Sequence, residues 1–453
     1  MNNQSVKIER INLENIKNVC NGTIDLTAKN ESLNVMGVYG QNGSGKTALV
    51  DALTMVRELI LGGKLNSGEV DLLNEDKESK IKIVVVFNSN LEVSYEVRLK
   101  NKGHNVNVIS ECVYLKKLKK YQRKKMIFDY RPTENGISVD FCGNKDRKYN
   151  EDERVELLTA HALSEQNETS FLFSERIRKF VCDEKNKGII NSELPLILEF
   201  LVNEFAKNLF CYSNKFSGMI YAEILLPMSF QVENMYGLVP IPMDASEEIS
   251  ENLYETANLI FTQINQVLPN LIPGLTIKLR IEDKSKNLEG ESEYRVSVDS
   301  IRNGKAIPFR KESDGIKKIV SILSTLINVY NSSNVIAIID ELDAGVFEFL
   351  LGEIVEALSD EAKGQLIFTS HNLRALEVLP YQKILFTTTN PKNRYIRVTN
   401  VKKTNNLRDM YIRAIQLGGM EEEVYQETDS YEIKRSFKKA FKKKRDARDS
   451  HGK

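Results

Sequence analysis

Apolar positions along the chain first alternate in short runs and later recur at helical spacing. Residues 33–38 form an apolar run of strand length, and residues 48–60 repeat apolar side chains every three or four positions, as a helix does. Residues 81–87, 91–99 and 106–115 alternate or run apolar, which predicts an antiparallel meander, and 126–130 and 136–141 add edge strands. From 151 to 272 the period becomes helical, most clearly over 192–210 and 246–267. Neither stretch sustains heptads, so a compact helical insertion is expected rather than a long coiled-coil arm. Strands return over 275–281 and 293–298. A helix follows to residue 329, and the apolar runs 335–339 and 365–368 suit buried parallel strands. The pattern predicts an α/β fold, with a mixed, two-lobed sheet, flanking helices and a helical insertion. It divides into an amino-terminal lobe (1–150), the insertion (151–272), a carboxy-terminal lobe (273–403) and a basic helical tail (404–453).

Chemistry concentrates where strands end. Between the strand at 33–38 and the helix at 48–60 lies Gly40-Gln41-Asn42-Gly43-Ser44-Gly45-Lys46-Thr47, a phosphate-binding loop in the strand–loop–helix context that it needs. Glycines at 40, 43 and 45 let backbone N–H groups close around phosphate oxygens, and the next helix turns its positive end to the same anion. Asn42 and Ser44 belong to that cradle. Lys46 is placed to reach the β- and γ-phosphates and Thr47 to hold Mg²⁺. A glycine-rich turn that merely caps a helix is the plain alternative, and the flanking elements count against it.

The strand at 335–339 ends in Asp340-Glu341-Leu342-Asp343. Asp340 is expected to bind Mg²⁺ through water, and Glu341 to orient and deprotonate an attacking water, because phosphoryl transfer is mostly positioning and charge stabilisation. The next strand runs into Thr369-Ser370-His371-Asn372, where His371 is placed to contact a γ-phosphate. Upstream, Ser313 in Ser313-Asp314-Gly315-Ile316 reads as the N-cap of a helix.

The order of glycine loop, Ser-x-Gly helix, Asp-Glu strand, Leu-Asp turn and histidine resembles the ATP-binding-cassette ATPases of the SMC, RecF and overcoming-lysogenisation-defect type. Residues 8–19, Ile-Glu-Arg-Ile-Asn-Leu-Glu-Asn-Ile-Lys-Asn-Val, look like their first strand, and the likeness covers residues 1–100 and 300–400. It implies a P-loop NTPase of the ABC/SMC-head type, using ATP and Mg²⁺. Ser313 and Gly315 match the signature pair that contacts the γ-phosphate of ATP on the opposite protomer. Asp343 matches the aspartate of the loop crossing the dimer interface, and His371 matches the switch histidine. The resemblance therefore implies a homo-oligomer built on head-to-head pairs with ATP sandwiched between them. The signature departs from Ser-Gly-Gly-Gln, and Asp314 near phosphates implies slow or conditional turnover. Gln166, in Leu163-Ser164-Glu165-Gln166-Asn167, is the candidate glutamine-loop residue.

Charge and layout narrow the partners. The 453 residues balance 63 Lys and Arg against 63 Asp and Glu, so any attraction to nucleic acid must be local. One basic cluster is Lys116, Lys117, Lys119, Lys120, Arg123, Lys124 and Lys125, and another runs from Lys434 to Arg448 around Phe437 and Phe441. Either is a candidate duplex-DNA contact or a solvated face. Five scattered cysteines, no signal peptide and no apolar stretch of membrane length lead to the expectation of a cytoplasmic protein without a membrane partner.

The layout is similar to the stand-alone ATPases of bacterial abortive-infection and PARIS-type anti-phage operons, whose nuclease is a separate effector protein. No fused Toprim nuclease of the overcoming-lysogenisation-defect kind is expected after residue 404. The resemblance thus implies a sensor and scaffold responding to a phage protein or DNA. A RecF-like repair ATPase that clamps duplex DNA is the alternative. A transporter subunit fits less well, given the insertion and the separated motifs.

Overall fold

Strands that alternate and strands that are apolar throughout end up in different sheets. The computed structural model describes residues 4–449 apart from 66, 104, 119–121, 135, 142–148, 184–189, 214–224, 233–234, 245–247, 399–405 and 419. Strands β1 (Val6–Ile16) and β2 (Val19–Asp25) are followed by a small hairpin, β3 (Thr27–Ala28) with β4 (Glu31–Ser32), and by β5 (Val35–Tyr39). The meander comprises β6 (Ser79–Phe87), β7 (Leu91–Asn101), β8 (Val106–Lys117), β9 (Lys125–Thr133) and β10 (Gly136–Asp140). It joins β1 and β2 in a seven-stranded antiparallel sheet ordered β10-β9-β8-β7-β6-β1-β2. A register shift between Ile8 and Arg10 lets Ile8 and Ile11 share the buried face although they are three residues apart.

The second sheet is ordered β11-β18-β19-β5-β20-β21, with β11 (Leu209–Tyr212), β18 (Ile336–Ile339), β19 (Gln365–Ser370), β20 (Ile384–Thr387) and β21 (Tyr395–Ile396). All its pairings are parallel except the last. Its strands are buried on both faces and feed two cores. Met36, Val38, Ile336 and Ile338 pack toward the antiparallel sheet with helix α1 (Lys46–Ile60), while Val35, Tyr39, Ala337, Ile339 and Phe368 pack on the other side. A short α2 (Ser67–Val70) follows α1.

Residues 151–272 hold the helices α3 (Glu151–Asn167), α4 (Glu175–Cys182), α5 (Leu194–Glu199) and α6 (Glu251–Leu271). They also hold β11 and three further strands, β12 (Leu225–Val232), β13 (Met235–Pro242) and β14 (Glu248–Ser250). The helix expected over 192–210 passes through a π turn, Phe200–Phe205, and a 3₁₀ turn, Ala206–Asn208, before Leu209 starts the edge strand beside β18. Where these elements meet the antiparallel sheet, one carboxylate is a structural hub. Glu111 is fully buried and accepts hydrogen bonds from Tyr95 Oη, Ser170 Oγ and the N–H groups of Phe171 and Leu172, at 2.6, 2.6, 2.8 and 3.0 Å. It fixes the segment after α3 to β8.

A third sheet, β14-β16-β15 with β17 on β16, is made by β15 (Thr276–Lys286), β16 (Ser292–Arg302) and β17 (Lys305–Pro308). It packs with α6 against α7 (Asp314–Asn331) around a core of its own. Helix α8 (Glu348–Glu361) follows β18, the short α9 (Ala375–Val378) follows β19, and α10 (Leu407–Leu417) buries Leu407 and Tyr411, whose ring stacks 4.9 Å from Phe386. Helix α11 (Ser430–Asp449) closes the described chain.

Candidate nucleotide site

Parallel strands place their carboxy-terminal ends along one edge, where ligands bind in open α/β sheets. Here β5 delivers the glycine loop, β18 delivers Asp340 and Glu341, and β19 delivers Ser370 and His371 to that edge. Gly40 has φ +155°, and a Cβ there would lie 1.7 Å from Thr387 Oγ1, so only glycine fits beneath β20. Gly43 and Gly45 also have positive φ, +75° and +94°. Gly45 occupies the N-cap of α1 without any side-chain cap, which leaves the first-turn N–H groups of that helix free to face an anion. Ser44 Oγ bonds Gln41 O and Thr387 Oγ1, while Asn42 and Gly43 are exposed at the tip.

Lys46 is buried, and its Nζ donates to Gly40 O at 2.8 Å and Gln41 O at 3.1 Å. Burial pushes its ammonium down to about 8, against the upward pull of Asp340, Glu341 and Asp343. Thr47 follows it, half-buried, in the first turn of α1. Asp340 is 2 % exposed; its Oδ1 accepts from Thr369 Oγ1, and its Oδ2 is buried with no hydrogen-bond partner among the described residues.

Glu341 sits at φ +48°, unusual for a residue with a long side chain. Its N–H donates to Thr369 Oγ1 at 2.8 Å and its carbonyl accepts from Lys318 Nζ. Both backbone groups are therefore held. No hydrogen bond from the described residues engages its carboxylate. Asp343 Oδ2 accepts from the His371 N–H at 3.0 Å, which ties the Leu-Asp turn to the histidine segment. Burial and Lys46 lower the imidazole pKa of His371, while Asp343, Glu341 and Asp340 oppose them.

Ser313 and Gly315, the residues expected to form the signature, lie beside this turn in different surroundings. Ser313 is the N-cap of α7 by backbone conformation, yet its hydroxyl makes no capping bond and is exposed. Gly315 is buried, and a Cβ there would sit 1.8 Å from Gly345 O. Its missing side chain permits backbone contact with its own chain. Gly315→Ala should push the 343–345 turn away, with a stability loss of about 2–3 kcal/mol for overpacking against backbone. Chemical denaturation would read this as a lower midpoint; an unchanged midpoint would show that the turn can give.

Gln166 is exposed near the end of α3, two residues before Glu168, whose carboxylate bonds Lys64 at 3.0 Å. Lys64 follows the carboxy-terminal end of α1, so Gln166 lies by the end of that helix away from the glycine loop. Residues that sequence reasoning did not single out complete the site. Thr369 holds both Asp340 and Glu341, and its position two residues before His371 was the available signal. Lys318, buried in α7, was marked only by its charge within an apolar-periodic stretch; burial lowers its pKa. Asn18 donates to Gly43 O, and Tyr395 Oη donates to Gly45 O at 2.7 Å.

Among the described residues, no group of three or more His, Cys, Asp or Glu gathers as a metal site, and no helix is long and apolar enough to cross a membrane. No curated protein matches the sequence. Among solved structures, the chain is similar to the SmcHead bound to the C-winged helix domain of ScpA, at 14 % identity and TM-score 0.42 over 86 % of this chain and 97 % of that one. It is also similar to the Smc head domain with an extended coiled coil bound to the C-terminal domain of ScpA from Pyrococcus furiosus, at 13 % identity and TM-score 0.41 over 87 % and 96 %. The SMC head domain from Thermotoga maritima matches at 12 % identity and TM-score 0.37 over 87 % and 100 %. The family described as an AAA ATPase domain matches residues 7–374, a span from the first strand to beyond His371, and the chain belongs to that family.

Proposed function

We propose that the protein is a Mg²⁺-dependent ATP hydrolase that works as a switch. The observation carrying this reading is the buried, unpartnered Asp340 Oδ2 at the strand edge that also holds the glycine loop and Lys46. Thr47 and Asp340 are the residues that would hold Mg²⁺. A hydroxyl, and a carboxylate reached through water, suit an ion that takes its other ligands from phosphates and water. The metal would supply neutralisation of phosphate charge. Lys46 and the loop N–H groups bind phosphate oxygens, Glu341 holds the attacking water and accepts its proton, and His371 faces the γ-phosphate.

Two heads would close on two ATP molecules. Ser313, whose hydroxyl is exposed, carries the contact to the opposite nucleotide. Gly315 sets the approach of Ser313 to the 343–345 turn. The same switch would serve a sensor and scaffold of a bacterial anti-phage system that controls a separate effector such as a nuclease; what supports that assignment is the resemblance in layout to the stand-alone ATPases of such operons, since the head motifs by themselves do not establish defence. The direct DNA-clamping alternative is not favoured by the first basic cluster. Lys116 and Lys124 both reach Glu92, at 3.5 and 3.4 Å, and Lys117 pairs with Glu193 at 2.5 Å, while 119–121 lie outside the described residues.

The test is ATP turnover with Mg²⁺, with and without duplex DNA at two salt concentrations, and co-purification of a neighbouring effector. Slow, Mg²⁺-dependent turnover indifferent to DNA is expected. Strong DNA stimulation that fades with salt would move the assignment to the clamp.

Lys46 gives a pH dependence with a definite sign. Phosphate binding favours the ammonium form, so below about pH 8 the lysine is already protonated and affinity should be level. Above that pH each binding event must take up a proton, and ATP affinity should fall toward the limit of about tenfold per pH unit. Calorimetry at pH 9 in buffers of different ionisation enthalpy should show proton uptake; none would mean that Lys46 does not meet the phosphates.

A further inference from the structure

Three helices leave an apolar groove on the flank away from the nucleotide site. Val267 and Leu271 of α6, Leu326 and Ile327 of α7, and Ile354 and Ala357 of α8 line a cavity of about 370 Å³. The groove lies toward the opposite edge of the parallel sheet from Lys46. Val329 O and Tyr330 O accept from Gly364 and Lys363 just ahead of β19, and Leu358 O accepts from Asn34 just ahead of β5. Its α8 wall is acidic. That helix carries Glu348, Glu353, Glu356, Asp360 and Glu361, all exposed, and no basic residue. Glu353, Ala357 and Glu361 form one i, i+4 row, so carboxylates stand on either side of the apolar wall.

The chain also holds a helix of complementary chemistry. In α11, Ile433 and Phe437 stand one turn apart, 46 % and 76 % exposed, and Phe441 continues the spacing in the sequence. Over residues 430–449 there are nine Lys or Arg against three Asp or Glu. This helix is anchored at the nucleotide edge. Four residues before it, Gln426 exchanges two hydrogen bonds with Gln41 of the glycine loop, at 3.0 and 3.3 Å, and Val424 is buried in the core. Glu423 Oε2 accepts from Thr389 Oγ1 at 3.0 Å beside it. The apolar strip thus begins only seven residues after the clasp, while the groove of the same chain lies toward the other edge of the sheet.

We propose that the basic carboxy-terminal helix of one copy docks in the α6–α7–α8 groove of a second copy, with Ile433 and Phe437 on the apolar floor and lysines against the α8 carboxylates. Reciprocal docking closes a two-fold dimer; one-way docking builds a ring or a filament. The contact is separate from an ATP-mediated pairing of heads, because it uses neither Ser313 nor Asp343.

The test replaces Phe437 with photoreactive p-benzoylphenylalanine in the full chain and irradiates it without nucleotide. A covalent product of twice the chain mass is expected, with the cross-linked peptide in α6, α7 or α8. In the Glu353→Lys, Glu361→Lys double variant, charge reversal at the rim should lower its yield about tenfold. Groove cross-links within a single chain mass would assign the helix to its own groove and overturn the proposal. So would a dimer joined elsewhere, no protein product, or cross-linking to added duplex DNA in place of protein.

Discussion

Lys46→Ala is expected to weaken ATP binding by about 10²–10³-fold, the range for losing a charge-assisted contact of roughly 3–4 kcal/mol in a partly desolvated site. The lysine is 6 % exposed, and the charges of Asp340, Glu341 and Asp343 act on it. Without it, a highly anionic ligand would approach three carboxylates with Lys318, N–H dipoles and a metal to offset them. Lys46 also bridges Gly40 O and Gln41 O, so its loss loosens the loop that orients those N–H groups. Lys46→Met keeps most of the side-chain volume while removing both the charge and the two donated bonds, so it separates those losses from the cavity that alanine leaves. Both variants should melt cooperatively and bind ATP weakly by calorimetry in Mg²⁺. Wild-type affinity in a folded Lys46→Ala protein would remove the glycine loop as the nucleotide site.

What could be read in the sequence follows from how local each feature is. The loop from Gly40 to Thr47 is fixed by its own glycines and by a strand and helix adjacent in sequence, so its geometry was legible. The runs before Asp340 and His371 were legible as buried strands for the same reason. The edge strand Leu209–Tyr212 was not, because an apolar run after an α-helix continues a helical pattern equally well, and its partner Ile336–Ile339 lies more than a hundred residues on. Gly315 shows the same limit in the site. A glycine there fits a phosphate contact or a backbone contact, and only the fold brings Gly345 O to it. Thr369, Lys318 and the Gln41–Gln426 pair are likewise products of long-range packing.

Glu341→Gln should separate binding from hydrolysis. The substitution is nearly isosteric and leaves both backbone restraints in place, the N–H to Thr369 Oγ1 and the carbonyl from Lys318. The φ of +48° is set by those restraints and by the turn they hold, so a glutamine should adopt it at similar cost. What is lost is the ability to take a proton from water, and general-base removal of this kind lowers rate by about 10²–10⁴-fold. ATP affinity should stay within about threefold of wild type, since the change removes no phosphate donor and a factor of three is under 1 kcal/mol. ATP-bound heads should then persist as a closed pair, visible by light scattering as a nucleotide-dependent rise in mass above that of the nucleotide-free protein, which wild type shows only transiently. Asp340→Asn provides the contrast, because it strips charge from the oxygen assigned to Mg²⁺ and should weaken Mg-ATP binding as well as turnover. If Glu341→Gln turned over ATP at the wild-type rate, the base would lie elsewhere. Glu341 would then be a carboxylate that only shapes the turn between Asp340 and Asp343.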